Sequence, residues 1–267
     1  MRTLGLKSSI GPVEYTSFEM MVTVAAREVK NGELVLAGIG LPILATNLAQ
    51  KTHAPNSLLM FEAGGLLKGG CEVLPLAVDD FGTYVLSEAT QSMCSVMGAL
   101  GRGEIDVAFL SGAQVDRFGN VNSIGVGDFS QPHTVKLLPG PGGANPMSSL
   151  GKRTSIIMPQ EKRKFVEKVA HITSPGWLWG PDARESVGLP PDRGPTLIIS
   201  NMGIFRFDQT TKEAYLDSIF PGATVEDVKA NTGWRLKVAP QVKRIDPPTE
   251  KELNTLREID KTGLYSK

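Results

Sequence analysis

The chain has 267 residues, 41% of them hydrophobic, and its 28 Lys plus Arg are balanced by 28 Asp plus Glu. That length can bury a substantial core, and a neutral balance lacks the basic footprint that a nucleic acid or an anionic membrane surface requires. No apolar run approaches the ~20 residues that span a bilayer, and the first seventeen residues, Met1 to Ser17, contain no apolar segment of signal-peptide length, so a cytoplasmic location is expected.

Residues 1–14 read as a loose leader. Thr16 is placed to cap a helix, with Glu19 completing a capping box. Met21, Val24, Ala25 and Val29 then recur at helical spacing, and Asn31-Gly32 ends the segment. Leu34 to Ala37 is a buried strand, Gly38-Ile39-Gly40 a turn, and Pro42 suits the first turn of a helix running to about Gln50. A second strand spans Ser57 to Phe61, so this region reads as a βαβ unit with an extra leading helix. Asp106 to Leu110 is a further strand, followed by a polar stretch from Gly112 to Ser123 with a tight turn at Phe118-Gly119-Asn120. Residues 125–153 are glycine-rich and without periodicity, and a loop that long inside a domain is usually functional or disordered. Strands are expected again at Ser155–Met158, Val169–Thr173 and Thr196–Ser200, with two hairpins between Leu197 and Leu216. Thr224 with Asp227, and Thr249 with Glu252, cap two last helices, the second running to about Asp260. Pro175 to Pro195 reads as an ordered excursion between strands. One domain over residues 1–267, an open, mostly parallel α/β sheet flanked by helices, is the simplest account.

In such a sheet, ligands bind beyond the carboxyl ends of the strands, and two strand ends carry unusual residues. The first runs into Gly38-Ile39-Gly40-Leu41-Pro42, where small residues let a ligand approach the backbone and the next helix offers free N–H groups. The same glycines also suit any sharp turn. The second runs into Met60-Phe61-Glu62-Ala63-Gly64-Gly65. A carboxylate there is either a solvated surface group or a nucleophile, held beside apolar residues and glycines, that attacks a thioester to give an acyl anhydride. A third stretch, Gly140-Pro141-Gly142-Gly143-Ala144-Asn145, is either a flexible loop or a nest of backbone N–H groups that stabilises charge developing on a carbonyl oxygen.

Together these stretches resemble the class I coenzyme A transferases, in particular beta (B) subunits of the glutaconate coenzyme A-transferase type. The resemblance runs from about Tyr15 to about Asp260. Besides the three stretches above it includes Ala54-Pro55, Gly112-Ala113-Gln114-Val115-Asp116, Gly119-Asn120-Val121-Asn122-Ser123, Gln160-Glu161-Lys162-Arg163 and Thr173-Ser174-Pro175-Gly176-Trp177. It implies a catalytic glutamate at Glu62, oxyanion donors at Gly142, Gly143 and Ala144, and substrate contacts at Gly38 and Gly40. It also implies an alpha (A) subunit of the same fold, with the active site between the two and a hetero-oligomer as the assembly. The substrates would be an acyl-CoA donor and a carboxylic or dicarboxylic acid acceptor, with no metal or other cofactor. The family's glutamate is followed by serine, where this chain has Ala63, so a hydroxyl is lost beside the nucleophile. Some ring-cleaving hydrolases on the same fold lack a glutamate here, and a related decarboxylase has cysteine in its place, so Glu62 favours transfer over both. Ligand sensors and sugar-phosphate isomerases share the wider fold, but a sensor would not need the carboxylate.

Other residues are expected to be structural. Cys71 and Cys94 read as small buried hydrophobes in a reducing compartment. With His53, His133 and His171 they form no short metal-ligand pair. Trp177, Trp179 and Trp234 are expected to anchor packing, Asp116 and Asn120 to shape their turns, Glu161 to Lys164 to form a solvated helix face, and Met20, Met21 and Met60 to fill the core.

Overall fold

The elements follow from caps and from short apolar runs. The computed structural model of the protein describes residues 14–85 and 87–266, so the expected leader lies outside the described residues except for Glu14. Thr16 caps α1 (Ser17–Arg27): its hydroxyl accepts from the Glu19 N–H at 3.1 Å, and the Glu19 carboxylate accepts from the Thr16 N–H at 2.7 Å. β1 (Leu34–Ala37) passes through Gly40, at φ +94°, into α2 (Leu41–Thr52), with Pro42 in its first turn. β2 (Leu58–Met60) turns back directly into β3 (Gly65–Lys68), and β4 (Ala89–Thr90) follows after an excursion. Ser92 caps α3 (Met93–Arg102), which leads to β5 (Val107–Leu110). The polar stretch that comes next is a small hairpin, β6 (Gln114–Val115) and β7 (Val121–Asn122). Residues 125–153 are more ordered than their composition suggests, with a second hairpin of β8 (Gly125–Val126) and β9 (Lys136–Leu137) and then α4 (Ala144–Leu150). β10 (Arg153–Ile157), α5 (Ala183–Ser186), β11 (Pro195–Ile199), β12 (Gly203–Phe207) and β13 (Ala214–Ile219) come next. The chain closes with α6 (Val225–Ala230), β14 (Lys237–Arg244) and α7 (Glu250–Ile259), both helices entered through the expected capping boxes.

One sheet runs through the structure in the order β14-β13-β12-β11-β10-β5-β1-β2-β3-β4. Its centre, from β11 to β2, is parallel, and antiparallel strands flank it on both sides. The central strands are nearly all apolar because both their faces are covered. Val35 and Ala37 of β1 pack with α1, α2 and α7 on one face, whereas Leu36 packs with residues of α3, α4 and α6 on the other. Two cross-ties lock α1 to α7. Each glutamate that caps one helix also holds an arginine of the other: Glu19 with Arg257 (2.7 Å) and Glu252 with Arg27 (2.8 Å). Among the described residues no helix is long and apolar enough to cross a membrane.

Four expectations need correction. Residues 169–173 form no strand. They run as a loop against β7, where the N–H groups of Thr173 and Ser174 both donate to the Val121 carbonyl. Glu161 to Lys164 is a turn rather than a helix face, closed by the Lys164 N–H on the Glu161 carbonyl at 2.7 Å and by ion pairs of Glu161 with Arg163 and Lys164. Cys71 is buried as expected, and burial pushes its thiol up to about 11, but Cys94 is exposed. Trp177 and Trp234 pack in the core, whereas Trp179 stands 63% exposed.

Candidate active site

β1 has β2 on one side and β5 on the other, so the chain reverses its direction of travel through the sheet at β1. The carboxyl ends of strands at such a reversal open a crevice that packed helices do not fill. Glu62 sits on this edge, in the turn joining β2 to β3. The Gly64 N–H donates to the Phe61 carbonyl (3.0 Å) and the Phe61 N–H to the Gly65 carbonyl (2.8 Å), which makes the turn tight. Gly64 has φ +118°, and a Cβ added there would lie 1.7 Å from the Gln91 carbonyl oxygen, so only glycine fits. Residues on either side of β4 brace the same turn: the Gln91 N–H donates to the Gly64 carbonyl (3.0 Å) and the Tyr84 hydroxyl to the Ala63 carbonyl (2.8 Å). Sequence reasoning missed Tyr84 and Gln91, because their segment has no periodicity to mark it.

The glycine-rich stretch comes to the same place. A Cβ added to Gly143 would lie 2.7 Å from the Glu62 carboxyl carbon and 2.7 and 3.0 Å from its oxygens, and one added to Gly142 would lie 3.7 and 3.8 Å from those oxygens. The carboxylate therefore rests against the bare backbone of Gly142 and Gly143. Among the described residues no hydrogen-bond donor or cation is paired with the Glu62 carboxylate, and no acceptor is paired with the Gly142 and Gly143 N–H groups. The Ala144 N–H differs: it donates to the Pro141 carbonyl at 2.9 Å, inside the loop. Gly38 and Gly40 follow β1 on the same edge; a Cβ added to Gly38 meets only the Phe109 carbonyl oxygen, at 4.0 Å, and one added to Gly40 meets nothing within 4 Å. Both leave open space beside the backbone. No group of three or more His, Cys, Asp or Glu that could hold a metal ion occurs among the described residues.

A polar network lies behind this edge. Asp116 accepts from the Phe118 and Asn120 N–H groups and from the Asn120 side chain, at 3.0 to 3.1 Å. Burial pushes its carboxyl up to about 6, against the pull of those donors. The Asn120 amide in turn accepts from Gly176 and Leu178 N–H groups and donates to the Leu178 carbonyl. Both residues shape their turns, as expected. Arg184 of α5 is fully buried. Its guanidinium donates to the carbonyls of Ser149 (2.7 Å), Gly176 (2.8 Å) and Pro190 (2.9 Å), which staples the 175–195 excursion to the last turn of α4. Burial lowers its pKa to about 10, Asp192 opposing the shift and Arg193 adding to it.

Known proteins agree with this architecture. The coenzyme A transferase family model matches residues 18–231. The beta subunit of 3-oxoadipate CoA-transferase from Pseudomonas knackmussii is 41% identical over 92% of this chain and 94% of its own. The beta subunit of glutaconate CoA-transferase from Acidaminococcus fermentans is 36% identical over 91% of this chain and 92% of its own. The crystal structure of glutaconate coenzyme A-transferase from Acidaminococcus fermentans superposes with a TM-score of 0.87 at 33% identity, covering 95% of this chain and 98% of that one. The decarboxylase AibA/AibB superposes with a TM-score of 0.80 at 25% identity, covering 94% and 97%. With its open α/β sheet and its match along most of the sequence, this chain belongs to the coenzyme A transferase family.

Proposed function

We propose that the chain is the nucleophile-bearing subunit of a two-subunit coenzyme A transferase that moves CoA from an acyl-CoA donor to a carboxylic or dicarboxylic acid. Family membership supports transfer of CoA between acyl-CoA and acids. The observation that carries the finer reading is the Glu62 carboxylate, without a protein partner among the described residues and lying against the backbone of Gly142 and Gly143, whose N–H groups pair with no acceptor there.

In this reading a Glu62 oxygen attacks the thioester carbon of the donor. The C–S bond breaks, giving an acyl-glutamyl anhydride and CoA thiolate. The thiolate attacks the glutamyl carbonyl carbon, the donor acid leaves as its carboxylate, and a glutamyl-CoA thioester remains. The acceptor carboxylate runs the same steps backwards. Each addition puts negative charge on a carbonyl oxygen, and one well-aimed N–H is worth ~3 kcal/mol there. Gly142 and Gly143 are the better donors, because the Ala144 N–H is already engaged by Pro141. Gly38 and Gly40 leave room for the substrate on the same edge. CoA itself is the only carrier the scheme needs.

An alpha subunit is the proposed partner, by analogy with the relatives named as beta subunits. The stretch between β3 and β4, which reaches the Glu62 turn through Tyr84, and the β8–β9 hairpin, which leads into the glycine loop, both carry exposed apolar side chains: Val73, Leu76 and Phe81 on one, Val126, Phe129 and Leu137 on the other. Apolar surface of that kind, beside a site open to water, suits a protein that covers it.

The test is co-expression with the alpha subunit and acyl-CoA exposure, followed by hydroxylamine or borohydride trapping. Modification at Glu62, turnover only when an acceptor acid is present, and loss of turnover in a folded Glu62→Asp enzyme are expected. Turnover without any acceptor would replace transfer by hydrolysis or decarboxylation.

A further inference from the structure

Between β9 and α4 the chain is rich in glycine, and such a segment loses much conformational entropy when it is held in one place. Something must hold Gly143 against Glu62. The entry to the loop is fixed where the Gly140 N–H donates to the Ser123 carbonyl at 3.1 Å. The exit is fixed where the Asn145 Nδ2 donates to the Thr173 carbonyl at 2.8 Å. The two anchors are themselves joined: the Ser123 N–H donates to the Thr173 hydroxyl at 3.0 Å, and that hydroxyl donates to the Val121 carbonyl of β7, also at 3.0 Å. The bonds close a ring through Gly140, Ser123, Thr173 and Asn145, with Gly142 and Gly143 on its free side. Three sequence stretches far apart in the chain meet in it.

We propose that Asn145 and Thr173 are positioning residues that fasten both ends of the glycine loop to one junction and so set the gap between Gly143 and the Glu62 carboxylate. This rests on the reading of Glu62 as the nucleophile. Neither residue donates to the carboxylate; the Asn145 amide goes to the Thr173 carbonyl and the Thr173 hydroxyl to the Val121 carbonyl. Asn145 is exposed and Thr173 is buried, so the two contribute differently to the fold but alike to the loop. One hydrogen bond from an exposed amide contributes little to stability, whereas a shift of about 1 Å in an aligned site can cost roughly 100-fold in rate.

The experiment is steady-state kinetics and thermal melting of the co-purified two-subunit enzyme, on an acyl-CoA and acceptor pair that the unaltered enzyme turns over. Asn145→Ala is expected to lower kcat by roughly 10- to 100-fold, leave KM for the acyl-CoA within about threefold, and shift the melting temperature little. Thr173→Val is expected to lower kcat in the same way, and Thr173→Ser, which keeps the hydroxyl, to recover most of the loss. Three outcomes would overturn the proposal: unchanged kcat in Asn145→Ala, a loss seen mainly as raised KM (direct substrate binding by Asn145), or failure of Asn145→Ala to fold. Glu62→Gln in the same assay separates the two ideas. If it keeps turnover, the nucleophile reading fails whatever Asn145 does; if it is inactive while Asn145→Ala is not, only the fastening fails.

Discussion

Gly143 and Gly64 both border Glu62, yet adding a methyl group to each has opposite consequences. Gly143 has φ −75° and ψ 1°, open to any residue, so its backbone tolerates alanine. The new Cβ would meet the carboxylate, the far end of a flexible side chain, and push it aside. Gly143→Ala is therefore expected to lower kcat/KM by roughly 100-fold with the melting temperature nearly unchanged, measured by kinetics and thermal melts on one preparation. At Gly64 the obstacle is the Gln91 carbonyl and the backbone is left-handed. Gly64→Ala is expected to destabilise the chain by roughly 3 kcal/mol or more, read from the denaturant midpoint. The sequence marked Glu62 by the break from an apolar strand to a carboxylate followed by glycines. The meeting with Gly143 was implied by the family resemblance, but the residue pattern alone does not mark it, because it depends on α4 returning to the same sheet edge.

Capping boxes, apolar runs and the hairpins around β12 were legible because each is decided within a few residues. The Val169–Thr173 segment was misread because its backbone bonds go to β7, a partner that local pattern does not reveal. Arg184 was invisible for a related reason: its acceptors are carbonyls of α4 and of its own excursion, and carbonyls leave no trace in sequence. Arg184→Met would leave the carbonyls of Ser149, Gly176 and Pro190 buried without this donor. A loss on the order of 3 kcal/mol is expected, measured as a lower urea midpoint. Asp116 gives the β6–β7 hairpin a pH dependence. Its folded carboxyl, near 6 by burial, holds a proton more tightly than the unfolded group at the ordinary 3.8. Protonation thus favours the fold: this contribution is complete below about pH 4 and is lost as pH rises through 6. Measured as the difference from Asp116→Asn, which removes this one titration, the denaturant midpoint of the unaltered chain is expected to fall as pH rises through that window.

The parallel centre of the sheet could be read from alternating strands and helices, but its edges could not. β14 carries Lys237, Lys243 and Arg244 with Pro240 and is mostly exposed, a composition that proline and charge permit on an edge strand but that erases the period-two pattern. The excursions beside Glu62 are harder still, because their apolar side chains face outward and no core explains them. Phe81 is 79% exposed and Leu137 73% exposed, one in each excursion. If an alpha subunit covers this edge, burying such side chains contributes about 1.5–3 kcal/mol each at full burial, while a charge in their place must be desolvated without a partner. Phe81→Glu and Leu137→Glu are therefore expected to weaken co-purification with the alpha subunit and to lower turnover in proportion, while the isolated chain melts as before because neither side chain supports its core. Size-exclusion chromatography of the co-expressed pair over a range of concentrations measures the first effect and thermal melting of the single chain the second. Undiminished assembly in both variants would mean that the partner sits on another face and that Glu62 works on an edge open to water.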